Sequence, residues 1–383
     1  MRYIHDHILQ DLNRKMVFIG GPRQVGKTTL AKHILDTAGF SGRYFNWDYG
    51  RDRQDLLAEK WHRDDSLIVL DELHKYRDWK NWIKGIYDTW KDRTRFLVTG
   101  SARLDVYRQG GDSLLGRYHY WRLHPFGLDE FPEKMTAKEA FDRLMTVGGF
   151  PEPFLDGDPR EARRWRRDRF DRVIKEDIRD LTDVRQISLL ELFIHQLRTR
   201  VGGQIVMSNL AGEIQVSPKT AQNWLAVLER MYLVFAVRPY TRNLPRAIVK
   251  PPKVYFYDNG DVIGDEGVVF ENLVAALLLK RLHFLEDRDG FRYDLRYIRD
   301  KEGREVDFVV VKDGKIEELI EVKLSDDTVS PHLAYYLEKL NPPRATQIVA
   351  RLRHPFSRGR LQVVDPMTYF HQHTHGESGL ELT

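Results

Sequence analysis

The stretch Gly21-Pro22-Arg23-Gln24-Val25-Gly26-Lys27-Thr28 constrains this chain more than any other. It is a G-x4-G-K-[ST] loop that follows an apolar run over residues 16–19 and leads into a helical pattern over 29–35. Gly21 and Gly26 let the backbone curl until its N–H groups, and the N-terminus of the next helix, face a polyphosphate. Lys27 is then expected to reach the β and γ oxygens, and Thr28 to offer its hydroxyl to Mg²⁺, with Thr29 beside it at the helix start. A glycine turn without a ligand is the competing reading, and the strand before and helix after argue against it.

The other half of such a site is expected at Ser66-Leu67-Ile68-Val69-Leu70-Asp71-Glu72. A short, wholly apolar run ending in two acids reads as a strand buried on both faces of a parallel sheet. Asp71 is placed to hold Mg²⁺ and Glu72 to polarise the attacking water, which points to hydrolysis rather than nucleotide binding alone. A further strand over 95–98 ends in Thr99-Gly100-Ser101, on the strand-end surface where open α/β sheets bind ligands. Thr99 or Ser101 could sense the γ-phosphate there. Another strand over 43–48 and a helix over Trp79–Trp90 complete an alternation that argues a doubly wound parallel sheet.

At 383 residues, two or three domains are expected, each able to bury its own core. The net charge of +4 neither demands nor excludes nucleic acid, because a local basic face matters more than the sum. With no cysteine, disulfides, zinc-thiolate sites and a thiol nucleophile are excluded. The first residues lack a long apolar core and no stretch is apolar enough to span a bilayer, so a soluble cytoplasmic protein without a membrane partner is expected.

Beyond Ser101 come Leu114-Leu115-Gly116-Arg117, an aromatic strand over 118–123, and Pro125-Phe126-Gly127-Leu128-Asp129-Glu130-Phe131. The order of phosphate loop, Leu-Asp-Glu, Thr-Gly-Ser, Leu-Leu-Gly-Arg and Pro-Phe-x-x-x-Glu-Phe resembles a family of prokaryotic AAA-type ATPases. The resemblance runs over most of the chain, including Gly148-Gly149-Phe150-Pro151. It implies ATP and Mg²⁺ as cofactors and a C-terminal domain of uncharacterised role with a restriction-endonuclease-like fold. Arg117 is the candidate arginine finger, since a fixed cation near the γ-phosphate stabilises phosphoryl transfer; a salt-bridged surface arginine is the alternative.

The expected organisation is a P-loop domain over 1–132, a helical lid over 133–202, a winged-helix-like region over 203–262, an endonuclease-like α/β domain over 263–365 and a tail over 366–383. Within the lid, Arg163-Arg164-Trp165-Arg166-Arg167-Asp168-Arg169 forms a basic helix that could line a phosphate backbone. A solvated face with interspersed acids is the bland reading. A short helix over 208–214, a turn, and a second helix starting at Ser217-Pro218 make a helix-turn-helix, which reads DNA in some proteins and only packs in others.

The last hundred residues suggest a second chemistry. An apolar helix carries Glu271, and a hairpin with an Asp-Gly turn carries Asp307 on one strand and Glu321 and Lys323 on the other. Residues two apart on a strand share a face, so Glu321 and Lys323 point the same way. Asp307, Glu321 and Glu271 could hold a second metal, with Lys323 activating water for phosphodiester cleavage. This order resembles the endonuclease-like domain of the same family; structural pairing of these acids with local arginines is the competing reading. His371, His373 and His375 are expected in a solvated terminus rather than a metal site.

These readings converge on an α/β protein in which ATP hydrolysis repositions the winged-helix and endonuclease-like regions on nucleic acid, DNA first. The rival is a nucleotide-dependent switch that binds DNA or a partner protein and never cuts. A homo-oligomer is compatible with both.

Overall fold

The computed structural model describes residues 1–100, 114–174, 187–241 and 250–372. The chain divides into two compact units, one made of residues 1–125 with the short pieces 230–232 and 287–289, the other of the remainder.

The first unit contains α1 (His5–Leu12), β1 (Met16–Gly20), α2 (Lys27–Thr37), β2 (Gly42–Asn46), α3 (Gly50–Leu57), β3 (Leu67–Asp71), α4 (Trp79–Trp90), β4 (Arg95–Thr99) and β5 (Tyr118–Arg122). Its strands form one sheet in the order β2-β3-β4-β1-β5, and every neighbouring pair is parallel. All residues of β1 and β3 are buried. That is why these strands read as unbroken apolar runs: crossover helices cover a parallel sheet on both faces. Helix α4 turns Trp79, Ile83 and Ile86 inward at helical spacing, onto a core that includes Phe18, Ile68, Leu70 and Phe96. Because the strands are parallel, β1, β3 and β4 deliver their carboxyl ends to one edge.

The second unit begins with helices α5 (Ala137–Thr146), α6 (Pro151–Asp156), α7 (Pro159–Arg172), α8 (Ile187–Arg198), α9 (Met207–Glu213) and α10 (Pro218–Arg230). It continues through β6 (Val234–Pro239), β7 (Lys253–Phe256), α11 (Glu266–Asp289), β8 (Tyr293–Arg299), β9 (Glu305–Lys312) and β10 (Lys315–Lys323). Last come α12 (Pro331–Leu340), β11 (Arg344–Val349), β12 (Phe356–Arg358), β13 (Leu361–Val364) and α13 (Pro366–Gln372). A mixed eight-stranded sheet runs β12-β13-β11-β10-β9-β8-β6-β7.

Local sequence explains the elements that orient this sheet. Ser217 accepts the Thr220 N–H at 3.0 Å and starts α10, and Asp265 accepts the Val268 N–H at 3.0 Å and starts α11. Between β9 and β10, Asp313 (φ 47°) and Gly314 (φ 81°) are both left-handed, as a two-residue hairpin demands. One expectation changes. Strands β6 and β7 pair antiparallel after the helix-turn-helix, but β6 also pairs with β8 at Arg238↔Arg296. The strands over 232–237 and 254–257, expected from the sequence to supply the wing of the helix-turn-helix, are therefore the edge of the same sheet that carries Asp307, and that sheet crosses the expected division at residue 262. Among the described residues, no helix is long and apolar enough to cross a membrane.

Candidate functional site

Two glycines carry the chain out of β1. A Cβ on Gly20 would lie 1.5 Å from the Tyr120 hydroxyl, and one on Gly21 would lie 2.3 Å from the Leu123 carbonyl oxygen. Gly21 (φ 133°), Gln24 (φ 62°) and Gly26 (φ 95°) all take positive φ, which curls the loop's N–H groups toward its centre. Lys27, Thr28 and Thr29 then open α2, whose first N–H groups lack helical partners and favour an anion. The Lys27 side chain is buried, and its Nζ donates to the carbonyls of Gly21 at 3.0 Å and Pro22 at 2.5 Å. Pro22 and Val25 are buried under the loop, Arg23 is half-buried, and Gln24 and Thr29 are exposed. Arg2 braces the loop from outside the motif, donating to the Val25 carbonyl at 2.8 Å and to the His124 carbonyl.

Asp71 is the hub of the opposing strand tip. Its carboxylate accepts the Thr28 hydroxyl at 2.8 Å, the Tyr44 hydroxyl at 2.6 Å and the Thr99 hydroxyl. Burial, then the hydrogen bond to Asp71, pushes the Tyr44 phenol well above its usual range and keeps it a donor. A threonine hydroxyl beside a carboxylate is a hard-oxygen pair of the kind that holds Mg²⁺ together with substrate phosphates. Glu72 follows with φ 58°, a conformation uncommon for a side chain larger than glycine. Its N–H donates to the Thr99 carbonyl at 3.0 Å, and its carboxylate lies 3.3 Å from Lys75 Nζ and 3.7 Å from His74 Nε2. Lys75 also pairs with Asp48 at 2.5 Å. The sequence-expected Lys27, Thr28, Asp71, Glu72 and Thr99 thus share one strand edge, while Ser101 lies outside the described residues.

Arg117 is a correction. Its carbonyl accepts the Met16 N–H, and Tyr118 pairs with Met16 at the start of β1, whereas the phosphate loop leaves the far end after Gly20. Five strand residues at roughly 3.3 Å each put about 16 Å between the two ends. Its guanidinium is moreover fixed on Asp88 by two hydrogen bonds of 2.9 Å. Arg117 cannot serve as a finger for its own chain's loop.

The second constellation does come together, but around a cation. Lys253 on β7, only 2% exposed, places Nζ 2.6 Å from Glu305, 3.4 Å from Glu271 and 3.7 Å from Asp307. Tyr255 donates to Glu271 at 2.6 Å, the Val322 N–H donates to Asp307 at 2.9 Å, and Lys323 pairs with Glu321 at 2.8 Å. Burial alone would lower the Lys253 ammonium, yet the carboxylates of Glu271, Asp307 and Glu305 outweigh it and hold it above its ordinary value. Burial and the charges of Glu271 and Glu321 push the Asp307 carboxyl well up. Among the described residues, no group of three or more acid or histidine side chains could hold a metal ion. The expected metal site of Glu271, Asp307 and Glu321 is instead an ion-paired cluster, because Lys253 supplies the positive charge. Sequence reasoning missed Lys253, Tyr255 and Glu305; it found Glu271, Asp307, Glu321 and Lys323.

Residues 13–132 match the model of an AAA domain. Residues 138–262 match a Domain of unknown function (DUF8612), and residues 266–370 a Domain of unknown function (DUF4143). An uncharacterized protein of Mycobacterium tuberculosis is 26% identical over 303 residues, covering 73% of this chain and 67% of that protein. An uncharacterized protein of Methanocaldococcus jannaschii is 22% identical over 335 residues, covering 71% of this chain and 69% of that one. Among solved structures, the Holliday junction branch migration motor RuvB of Thermotoga maritima aligns with a TM-score of 0.28 at 17% identity, over 58% of this chain and 81% of its own. Bacteroides Pif1 bound to single-stranded DNA aligns with a TM-score of 0.23 at 14% identity, over 40% of this chain and 47% of its own. Likenesses this distant carry no argument about this chain; the AAA match and the strand edge around Asp71 do.

Proposed function

We propose that the chain is a Mg²⁺-dependent ATPase that couples turnover to repositioning of its C-terminal regions on nucleic acid, DNA before RNA. The observation that carries the hydrolytic half is the convergence of Thr28, Thr99 and Tyr44 on the Asp71 carboxylate, which ties the phosphate loop to the acidic strand tip. The match of residues 13–132 to an AAA domain supports it. Lys27 and the loop N–H groups bind the β and γ phosphates, and Thr28 and Asp71 hold the metal. Mg²⁺, when bound, neutralises charge on the phosphate oxygens. Glu72 orients the attacking water and takes its proton once Lys75 lets go of the carboxylate. Thr99 reports the γ-phosphate through its bond to Asp71. The nucleic-acid half rests on the basic face of α7 and the helix-turn-helix of α9 and α10. The ATPase rate with and without duplex, single-stranded and branched DNA tests it: stimulation by one of them is expected, and a rate indifferent to all three removes nucleic acid from the reading.

The Lys253 cluster favours one form of this function over another. With Glu271, Glu305 and Asp307 committed to a lysine, the C-terminal region binds and regulates rather than cuts. A partner protein or a second copy of the chain would use the same switch. Plasmid nicking in Mg²⁺ or Mn²⁺ that depends on Asp307 and Lys323 would overturn this choice.

A further inference from the structure

Apart from both clusters, α7, the end of α8 and the turn after β7 form an open cavity of about 270 Å³. Arg163, Arg166, Arg167, Arg198, Phe170 and Asp261 line it. Its floor is built from acids. Asp258 and Asp261 are 0% and 5% exposed, and Arg198 Nη2 donates to Asp261 at 2.5 Å. Arg166 Nε lies 3.4 Å from Asp258, and the buried Arg169 guanidinium lies 3.5 Å from Asp261 and 3.8 Å from Asp258. Arg169 is also stacked 3.9 Å over the Phe150 ring, and Arg198 lies 5.1 Å over Phe170. A Cβ on Gly260 would sit 2.1 Å from the Arg166 guanidinium, so glycine at that position makes the room Arg166 occupies.

The charge does not balance. Among the described residues, Arg166, Arg169 and Arg198 pair with the two carboxylates of Asp258 and Asp261, and Arg163 and Arg167 line the same cavity. Among the described residues, the buried Nε donors of Arg166 and Arg198 make no hydrogen bond, and Arg166 Nε is held only by its ion pair with Asp258. Arg163 and Arg167, one helical turn apart and both exposed, stand at the rim. Arg167 lies 3.7 Å from its neighbour Asp168, which is itself exposed, and Glu161 of the same helix is taken up by Arg164 at 3.0 Å. Among the described residues, neither of these two acids pairs with Arg163. An excess of guanidinium forks, pre-oriented from below, matches the oxygens of a phosphate better than it matches solvent.

We propose that this cavity is a phosphate-binding site, with Arg166 and Arg198 set in place by the acids beneath them and Arg163 and Arg167 closing on the oxygens. Its volume lies just under the usual range for small-molecule sites, which suits one phosphate-bearing unit. A backbone phosphodiester and a free phosphate compound share this chemistry. The site deepens the nucleic-acid half of the function proposed above and is independent of ATP turnover.

The test uses the full chain carrying Lys27→Ala, so that the loop after β1 does not bind the probes. Anisotropy of a labelled single-stranded oligonucleotide and calorimetry with pyrophosphate are compared between this parent, an added Arg163→Ala/Arg167→Ala pair, and an added Arg353→Ala/Arg358→Ala pair on exposed positions elsewhere. The pocket pair is expected to weaken binding at least tenfold while the control pair stays within twofold. For the oligonucleotide, the slope of log affinity against log salt should flatten by about 1.4. Weakening of both probes identifies the backbone phosphodiester as the source, and weakening of pyrophosphate alone identifies a free phosphate compound; either supports the site. Equal effects of the two pairs on both probes, or a parent that binds neither, overturns it. ATP hydrolysis measured with Lys27 intact reports separately on the ATPase.

Discussion

Replacing Lys253 with methionine removes the cation that Glu271, Glu305 and Asp307 share, at a position 2% exposed where water cannot take its place. At 2.6 to 3.7 Å and an effective dielectric constant of about 20, each attraction is roughly 4–6 kcal/mol. Desolvation of the ammonium and repulsion among the acids cancel most of that, and truncating one partner of a buried ion pair leaves a net loss of about 3–5 kcal/mol. The sign with pH follows from two groups. Asp307 is raised by burial, Glu271 and Glu321 and pulled down by Lys253. A carboxyl whose folded pKa exceeds its unfolded one loses stability as pH rises through the folded value, so removing Lys253 deepens that loss at high pH. Glu305 is raised by burial but held low overall by Lys253 and Arg299, a contribution present above its unfolded pKa and lost as pH falls. Both make the substitution cost more at pH 8 than at pH 5. Hydrogen exchange of β7, β9 and β10, corrected for intrinsic rates, should show protection falling by about two to three and a half orders of magnitude at pH 8 and by less at pH 5. A change under threefold at pH 8, or a larger loss at pH 5, would mean that Lys253 is not what holds the three acids together.

Three further substitutions follow from the same geometry. Gly21→Ala, at φ 133° with its Cβ 2.3 Å from the Leu123 carbonyl oxygen, is expected to abolish binding of a fluorescent ATP analogue; retained affinity would mean the loop tolerates a different path. Thr28→Val removes the hydroxyl 2.8 Å from Asp71 and should raise the Mg²⁺ needed for half-maximal hydrolysis about tenfold, with Thr28→Ser near wild type. Gly148→Ala, at φ 80° with its Cβ 2.0 Å from buried Asp258, should destabilise the second unit by about 1–3 kcal/mol from backbone strain alone, read as a lower Tm.

What the sequence made legible was local. The G-x4-G-K-T string reads as a strand, a loop and a helix within a few residues, and the apolar run into Asp71-Glu72 as a doubly buried strand tip, so these residues alone mark the strand edge proposed for hydrolysis. The Asp-Gly turn likewise fixed the β9–β10 hairpin. What failed was long-range. Arg117 follows the sensor strand closely in sequence, yet the parallel register of β5 with β1 carries it to the opposite end of the sheet. Lys253 sits in a four-residue strand far in sequence from Asp307, and nothing in Pro251-Pro252-Lys253-Val254 announces that it pairs with three acids. The arginine cavity combines α7 with Arg198 and Gly260, and only Arg163, Arg166 and Arg167 were visible as a basic run. Register and crossover decide such meetings, and neither is written in local periodicity.

Glu72, one residue past the end of β3, is the group proposed to turn nucleotide binding into hydrolysis. Purified Glu72→Gln should bind ATP within threefold of wild type while its kcat falls by about 10²–10⁴, the contribution of a positioned general base. Hydrolysis at the wild-type rate in that variant would take the catalytic role away from Glu72 and leave the strand tip a binding site only.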